Sequence, residues 1–333
     1  MSLDSDKIFQ NILRRRKEYD LKYSLRIDKS DKDNKPSVGF SDFVTKEAGI
    51  LSGSDIFPGT IELYEQGHSR GLKTGWPRLE EKFSIQPNEL TIITGYPSSG
   101  KSTFLNNLLV NLAQDNNFST CFFTPESYPY RNHQSVLMQM FYKKAFFGSG
   151  RMSLDELKGK EYFLDTFFSW IDLDNFDELT LECLMDKFAL AKVEKQINAI
   201  VIDPWNEIEH VFTRGENETQ YVSKWLSLLK QFAIRMDVHV FIVHHPRKIQ
   251  NFTKKLKVPS PDDLAGSYSW WAKADNCITV YRTDEYETPV EIHIKKVKRE
   301  GDTGYPGKVL LNFDEQTKTY SDISPFDEGY KPF

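Results

Sequence analysis

The residues with the clearest chemistry lie in one short run, Gly95-Tyr96-Pro97-Ser98-Ser99-Gly100-Lys101-Ser102-Thr103. It fits G-x-x-x-x-G-K-[ST], a spacing that wraps phosphate groups. Gly95 and Gly100 let the backbone bend until several N–H groups point at one anion. Lys101 carries the charge that neutralises β- and γ-phosphates, and the Ser102 hydroxyl is placed to ligate Mg²⁺. A helix opening near Lys101 adds the positive end of its dipole. The run therefore implies ATP, or another nucleoside triphosphate, bound with Mg²⁺.

Further groups fit the same chemistry. Ala199–Asp203 is an apolar strand ending in a carboxylate, and Asp203 there can hold Mg²⁺. Glu126 follows the strand-like run Thr120–Thr124. At the carboxyl end of a strand neighbouring the phosphate loop it can polarise an attacking water, or it is an ordinary exposed loop carboxylate. His244 and His245 end the strand-like run Val238–Val243 and lead into Pro246-Arg247-Lys248. One imidazole can report on the γ-phosphate, and the other reading is two polar residues where a buried strand meets solvent. Between Arg247 and Pro261 stand Lys248, Lys254, Lys255 and Lys257 among neutral residues. That is the composition of a loop contacting nucleic-acid phosphates, or of a solvated lysine loop without a partner.

These groups need a frame. Leu90–Thr94 is a short apolar strand before the phosphate loop, and Phe104, Leu105, Leu108, Leu109 and Leu112 recur at helical spacing after it. Strands expected at Leu90–Thr94, Thr120–Thr124, Ala199–Asp203, Val238–His244 and Asn276–Tyr281 alternate with helices. The pattern predicts an α/β fold with a mainly parallel central sheet. Val290–Val297 and Lys308–Phe313 flank a Gly-rich turn and are expected to add antiparallel edge strands. The segment Leu154–Gln196 reads as helical, with two amphipathic stretches. Residues 1–75 form an N-terminal extension, 76–322 the main domain and 323–333 a polar tail.

Within the extension, Ile8, Phe9, Ile12 and Leu13 beside Arg14–Lys17 read as a basic amphipathic helix, docked on a neighbour or on its own domain. Asp28–Ser37 reads as a linker, and Gly59–Gln66 as a short linker helix. With 333 residues and a net charge of −5, a uniform basic coat is excluded, although a local basic channel is not. Cys121, Cys183 and Cys277 lack metal-ligand spacing, and Cys121 and Cys277 read as buried thiols. No run reads as a signal peptide or a membrane span, so a cytoplasmic protein without membrane attachment is expected.

In their order, these elements resemble the DnaB-like replicative helicases, of the RecA-type ring class, and more closely the phage primase–helicase and Twinkle branch. The residues carrying the likeness are Gly75-Trp76-Pro77, the phosphate loop, Pro125-Glu126, Asp203-Pro204-Trp205-Asn206-Glu207 and His245-Pro246-Arg247-Lys248. Gly266-Ser267, Ala274-Asp275, Arg282 and Gly301-Asp302-Thr303-Gly304 complete it, over roughly residues 60–320. The resemblance implies a RecA-like ATPase core that hydrolyses ATP with Mg²⁺ and moves along single-stranded DNA as a homo-oligomer, a hexameric ring. A primase is a further implied partner.

It also implies roles. Glu126 becomes the catalytic glutamate, His245 the γ-phosphate sensor and the lysine loop a DNA-contacting loop in the ring channel. Arg282 and Phe313 sandwich the base between subunits. Lys296-Val297-Lys298-Arg299 matches an element that reaches into the neighbour's site. Here the sequence departs from the family. Lys298 stands where an arginine finger is expected, and Arg299 lies one residue later, facing the opposite way if the strand continues. Two other readings stay open: a RecA- or KaiC-type ATPase that assembles without unwinding, and a nucleotide-binding scaffold without helicase activity.

Overall fold

The computed structural model describes residues 51–175, 179–212, 214–246, 257–264, 268–282 and 289–323. The chain divides into two compact units, Ser5–Ser69, and Arg70–Phe333 with Met1–Asp4. In the smaller unit the described residues form helix α1, Gly53–Gln66. It begins before the expected Gly59 and runs through Pro58. Ser52 opens it by donating its backbone N–H to Asp55 Oδ2 at 2.8 Å, an end in which a carboxylate meets orphan amides. No residue of α1 is buried, and Ile56, Phe57, Ile61 and Tyr64 are all exposed. The basic stretch at residues 8–17 and the run 28–37 lie outside the described residues.

The larger unit is a nine-stranded sheet in the order β3-β2-β4-β5-β1-β6-β7-β8-β9. After the short helix α2 (Pro77–Glu80) come β1 (Leu90–Thr94), α3 (Lys101–Asn116), β2 (Thr120–Phe123) and α4 (Tyr130–Tyr142). There follow α5 (Leu154–Lys158), α6 (Glu161–Phe167), β3 (Phe168–Trp170), α7 (Leu181–Lys195) and β4 (Ala199–Ile202). The chain continues through α8 (Glu218–Met236), β5 (His239–His244), α9 (Ser269–Lys273) and β6 (Asn276–Tyr281). It closes with β7 (Val290–Lys296), β8 (Gly307–Asp314) and β9 (Thr319–Asp322). Strands β1 to β6 pair in parallel, and β7, β8 and β9 extend the sheet antiparallel. Every residue of β1, β2, β4, β5 and β6 is buried. Strands covered on both faces need such unbroken apolar runs, which is why the sequence announces them.

Two elements differ from the sequence expectation. The segment Leu154–Gln196 is not wholly helical, because Phe168–Trp170 forms the edge strand β3. It pairs with β2, Phe168 opposite Thr120, and Ile171 N donates to Phe122 O at 2.8 Å. Three residues are too few to carry a visible period. The second is β9, in the polar segment after Phe313, where Tyr320 sits buried opposite Phe313.

β9 matters because it ties the two flanks of the domain to α3. Trp76 stacks on Phe104 with ring centroids 5.4 Å apart, and its Nε1–H donates to Tyr320 O at 2.8 Å. Tyr320 N donates to Asn107 Oδ1 at 2.7 Å, and Arg78 N to Asp322 Oδ2 at 3.2 Å. The Gly301–Gly304 turn folds against Lys82 and Phe83. A Cβ at Gly304, where φ is 144°, would collide with the Lys82 carbonyl, so this approach needs glycine. Cys121 and Cys277 are buried, as expected, and Cys183 is exposed. No helix among the described residues is long and apolar enough to cross a membrane.

Candidate functional site

The phosphate loop leaves β1 at the carboxyl edge of the sheet and enters α3 through Gly100, whose φ of 92° is left-handed. A Cβ there would stand 2.6 Å from the Tyr320 hydroxyl, which itself donates to Gly100 O at 3.2 Å. The loop is thus held from below by a residue 220 positions away. Lys101 opens α3, buried at 5 % exposure, and its Nζ donates to Tyr96 O at 2.9 Å. Pro97 and Ser98 are exposed, Gly95 and Ser99 buried, and Ser102 and Thr103 half-buried.

Asp203 lies just beyond β4, buried at 7 % exposure and hydrogen-bonded to Ser102. Burial pushes its carboxyl up to about 6; Glu126 adds to the rise, while Ser102 and Lys101 oppose it. Burial likewise pulls Lys101 down to about 8, against the carboxylates of Asp203 and Glu126. Each charge is short of compensation in its buried setting. A triphosphate beside Lys101 and a divalent cation held by Ser102 and Asp203 would supply what each lacks. The Ser99 hydroxyl, buried with no hydrogen-bond partner among the described residues, adds an unspent donor to the same cradle. The residues present fit a nucleotide with Mg²⁺.

Glu126 stands exposed on the Pro125–Ser127 turn after β2. The expectation that β2 neighbours the phosphate-loop strand is corrected here, because β4 and β5 intervene between β2 and β1. The carboxylate nevertheless acts on both Lys101 and Asp203, so it faces the same crevice. Thr94 pairs with His244, which sets His245 beside the start of the phosphate loop. His244 is buried, its ring 4.8 Å from that of Trp270, which meets Trp205 edge-on at 5.2 Å. Packing thereby connects the segment after Asp203 to the histidine strand. His245 is half-buried, and its Nδ1 has no hydrogen-bond partner among the described residues. Burial and then the Lys101 charge hold its pKa below the ordinary value, so the ring is neutral at pH 7.

On the other flank of the loop, Arg282 and Phe313 meet within one chain, the guanidinium 4.8 Å over the ring. Phe313 also packs on Tyr320 at 5.0 Å, and Arg282 hydrogen-bonds the Tyr320 hydroxyl. Arg282 follows β6 and Phe313 lies on β8 of the same sheet, so one subunit presents both. Tyr320 is not among the residues the sequence singles out. Nothing local marks a lone tyrosine in a polar strand as a support for a distant loop.

Lys296, Lys298 and Arg299 gather at the opposite, amino edge of the sheet. Lys296 is spent in cis: its Nζ donates to Trp271 O at 2.8 Å and Ala274 O at 2.7 Å, capping α9. The strand ends at Lys296, after an irregularity in its pairing opposite Cys277 and Ile278. Thr303 N and Asp302 N then donate to Arg299 O, closing a turn. Strand alternation therefore does not separate Lys298 from Arg299, and the expected opposite facing is corrected. Both approach Glu89, a carboxylate with 3 % side-chain exposure before β1, at 3.9 Å and 3.8 Å. Lys298 is bound more firmly elsewhere, with Nζ 3.1 Å from Asp275 Oδ1, which also holds Lys230 at 2.7 Å. Among the described residues, Arg299 comes no closer than 3.8 Å to a carboxylate, and its side chain is 46 % exposed.

Of the lysine loop, Lys248, Lys254 and Lys255 lie outside the described residues, as do Gly266 and Ser267, while Lys257 is exposed. The cleft of about 660 Å³ bounded by Arg131, Met138, Leu157, Trp170 and Lys195 shares no residue with the phosphate loop.

Comparison with known proteins gives this geometry its relatives. Residues 71–322 match the DnaB-like helicase C-terminal domain. The chain is 33 % identical over 295 residues to the Twinkle homolog protein, chloroplastic/mitochondrial, of Arabidopsis thaliana, covering 84 % of this chain and 41 % of that protein. It is 25 % identical over 298 residues to the replicative DNA helicase DnaB of Geobacillus stearothermophilus, covering 84 % and 63 %. The chain thus spans less than two thirds of these relatives' length. Its fold is similar to that of a solved ATPase domain, with a TM-score of 0.67 at 19 % identity, covering 82 % of this chain and all of that one. It is also similar to a DnaB-like replicative helicase described with its primase interactions, with a TM-score of 0.64 at 18 % identity, covering 96 % and 75 %. The phosphate loop with Asp203, Glu126 and His245 around it stands within the matched segment, and the chain belongs to the DnaB-like helicase C-terminal domain family.

Proposed function

We propose that this chain is the motor of an ATP-dependent replicative DNA helicase that works as a ring on single-stranded DNA. One observation carries the reading: the two halves of the catalytic site lie on opposite edges of one sheet. Lys101, Ser102, Asp203, Glu126 and His245 sit past the carboxyl ends of the strands, and Arg299 beyond the amino ends. The five residues of β1, at ~3.3 Å each, separate those edges by roughly 16 Å. Arg299 cannot serve its own phosphates. A second copy stacked head to tail brings it to them, and such heterologous contacts close into rings or continue as filaments. The exposed apolar side chains of α1 offer a surface for a neighbouring copy to cover.

In this reading Lys101 would neutralise the β- and γ-phosphates, and Ser102 and Asp203 would hold Mg²⁺, which when bound would supply positive charge against the phosphates. Glu126 orients and deprotonates the attacking water. The neutral His245 donates to the γ-phosphate and registers its loss. Arg299 stabilises charge on the neighbour's phosphoryl group, while Arg282 and Phe313 flank the base. Lys248, Lys254, Lys255 and Lys257 grip the DNA backbone. The primase interactions of a similar helicase support a primase as a further partner. Unwinding of a forked duplex, with light scattering on the same sample in ATP, Mg²⁺ and single-stranded DNA, tests the proposal. A full ring that hydrolyses ATP but never separates strands would sink it.

A further inference from the structure

Tyr96, the second residue of the phosphate loop, makes contacts that nucleotide binding alone does not require. Its carbonyl accepts from Lys101 Nζ at 2.9 Å, and its phenol donates to Lys257 O at 2.8 Å. The ring leans on Tyr281 with centroids 6.4 Å apart. Burial, then the nearby Asp263 carboxylate, then Tyr281, hold the phenol above its ordinary pKa, so it stays a donor at neutral pH. Two residues further on, Pro259 O accepts from Thr279 Oγ1 at 2.9 Å, fixing the same segment to β6 independently of the phosphate loop.

We propose that Tyr96 is a positioning residue that transmits occupancy of the phosphate site to Lys257 and through it to single-stranded DNA. The step rests on the reading of Lys257 as a DNA contact. One ammonium faces two competing acceptors, the Tyr96 carbonyl and the incoming β/γ-phosphate oxygens. When Lys101 turns to phosphate, the Tyr96 carbonyl is left with the longer contact from Ser99 N at 3.2 Å, so its main chain is held less firmly and the phenol on the same residue carries the change to the Lys257 backbone. Two hydrogen bonds through one residue make this the shortest polar path from the phosphates to a proposed DNA contact among the described residues.

The test is the affinity of the whole chain for a labelled oligo-dT in a non-hydrolysable ATP analogue and in ADP. Coupling between sites is typically worth roughly 5- to 150-fold. A wild-type ratio of at least about fivefold is expected, falling below about twofold in Tyr96→Phe, which removes only the hydroxyl. The effect of DNA on analogue affinity, taken relative to its effect on ADP affinity, must shrink by the same factor. Thr279→Val loosens the same segment without touching the phosphate loop, and it should keep the wild-type ratio. A Tyr96→Phe chain with an unchanged ratio overturns the inference, as does a Thr279→Val chain that loses the ratio equally. If Lys254, Lys255 and Lys257 are replaced together and oligo-dT binds as before, the DNA-contact reading itself fails. That outcome is distinct from a failure of Tyr96.

Discussion

Arg299 stands with its Nε 3.8 Å from Glu89 Oε1, outside hydrogen-bond reach, while the carboxylate oxygen it approaches is buried without a hydrogen bond among the described residues. The neighbouring Lys298 is instead anchored to Asp275. This division predicts different phenotypes for adjacent residues. Arg299→Ala should lower the hydrolysis rate of the assembled protein by roughly 10³-fold or more, the range of a trans arginine. Lys298→Ala leaves Asp275 with Lys230, and because the lysine is more than a third exposed the stability cost should be about 1 kcal/mol or less. Steady-state rates and urea midpoints on both variants decide it. The reverse pattern would return the finger to Lys298.

Lys101 and Glu126 separate binding from chemistry. Lys101→Ala should abolish detectable nucleotide binding in an equilibrium assay with a fluorescent analogue. Glu126→Gln should bind that analogue as the wild type does, yet hydrolyse ATP slower by roughly 10²- to 10⁴-fold, the contribution of a placed general base. DNA-stimulated hydrolysis that survives Glu126→Gln removes the assignment.

The lysine loop makes a prediction that salt reads directly. Each phosphate contact on a single strand adds about 0.7 to the slope of log K against log salt. Replacing Lys254, Lys255 and Lys257 together should therefore flatten that slope by about 2, and weaken binding of any base sequence alike.

Two buried histidines should make the fold sensitive to acid. His239 is wholly buried in β5, with Nδ1 donating to Gln86 O at 2.6 Å and Nε2 accepting from Thr91 Oγ1 at 2.9 Å. His133 is buried on α4, where Nδ1 accepts from Trp170 Nε1 at 2.8 Å. Burial pulls both down to about 4, from near 6.5 in the unfolded chain. The unfolded state takes up protons first as pH falls, so their contribution is complete above about 6.5 and is lost towards 4. The combined loss should reach several kcal/mol, at most about 3 per residue. Urea midpoints at pH 7.5, 6 and 5 measure it, and a flat profile contradicts it.

The contrast between Lys101 and Glu89 shows what the sequence could convey. The phosphate loop, Asp203 and the buried strands are spelled by local spacing, because phosphate wrapping and two-sided burial each dictate consecutive residue types. Glu89, Asp275, Lys230 and Lys298 come from four separated segments, and only folding makes them one ion cluster. Tyr320 is likewise silent in a polar run until β9 closes on α3. The facing of Arg299 could not be read either, because it depends on the strand stopping at Lys296, and Lys-Val-Lys-Arg carries no mark of a stop. Residue types alone were also unable to say that β2 stands apart from β1, since strand order is a property of the crossovers.

The clasp of Trp76 on Tyr320, with Arg78 N on Asp322, brings the entrance and exit of the larger unit side by side. Topologically the folded domain is nearly a closed loop of chain. Joining its two flanks through a short linker and opening new termini in the exposed turn at residues 148–150 would leave every strand pairing intact. Circular permutation at that turn therefore offers a way to move the attachment point of fused modules without disturbing the phosphate loop.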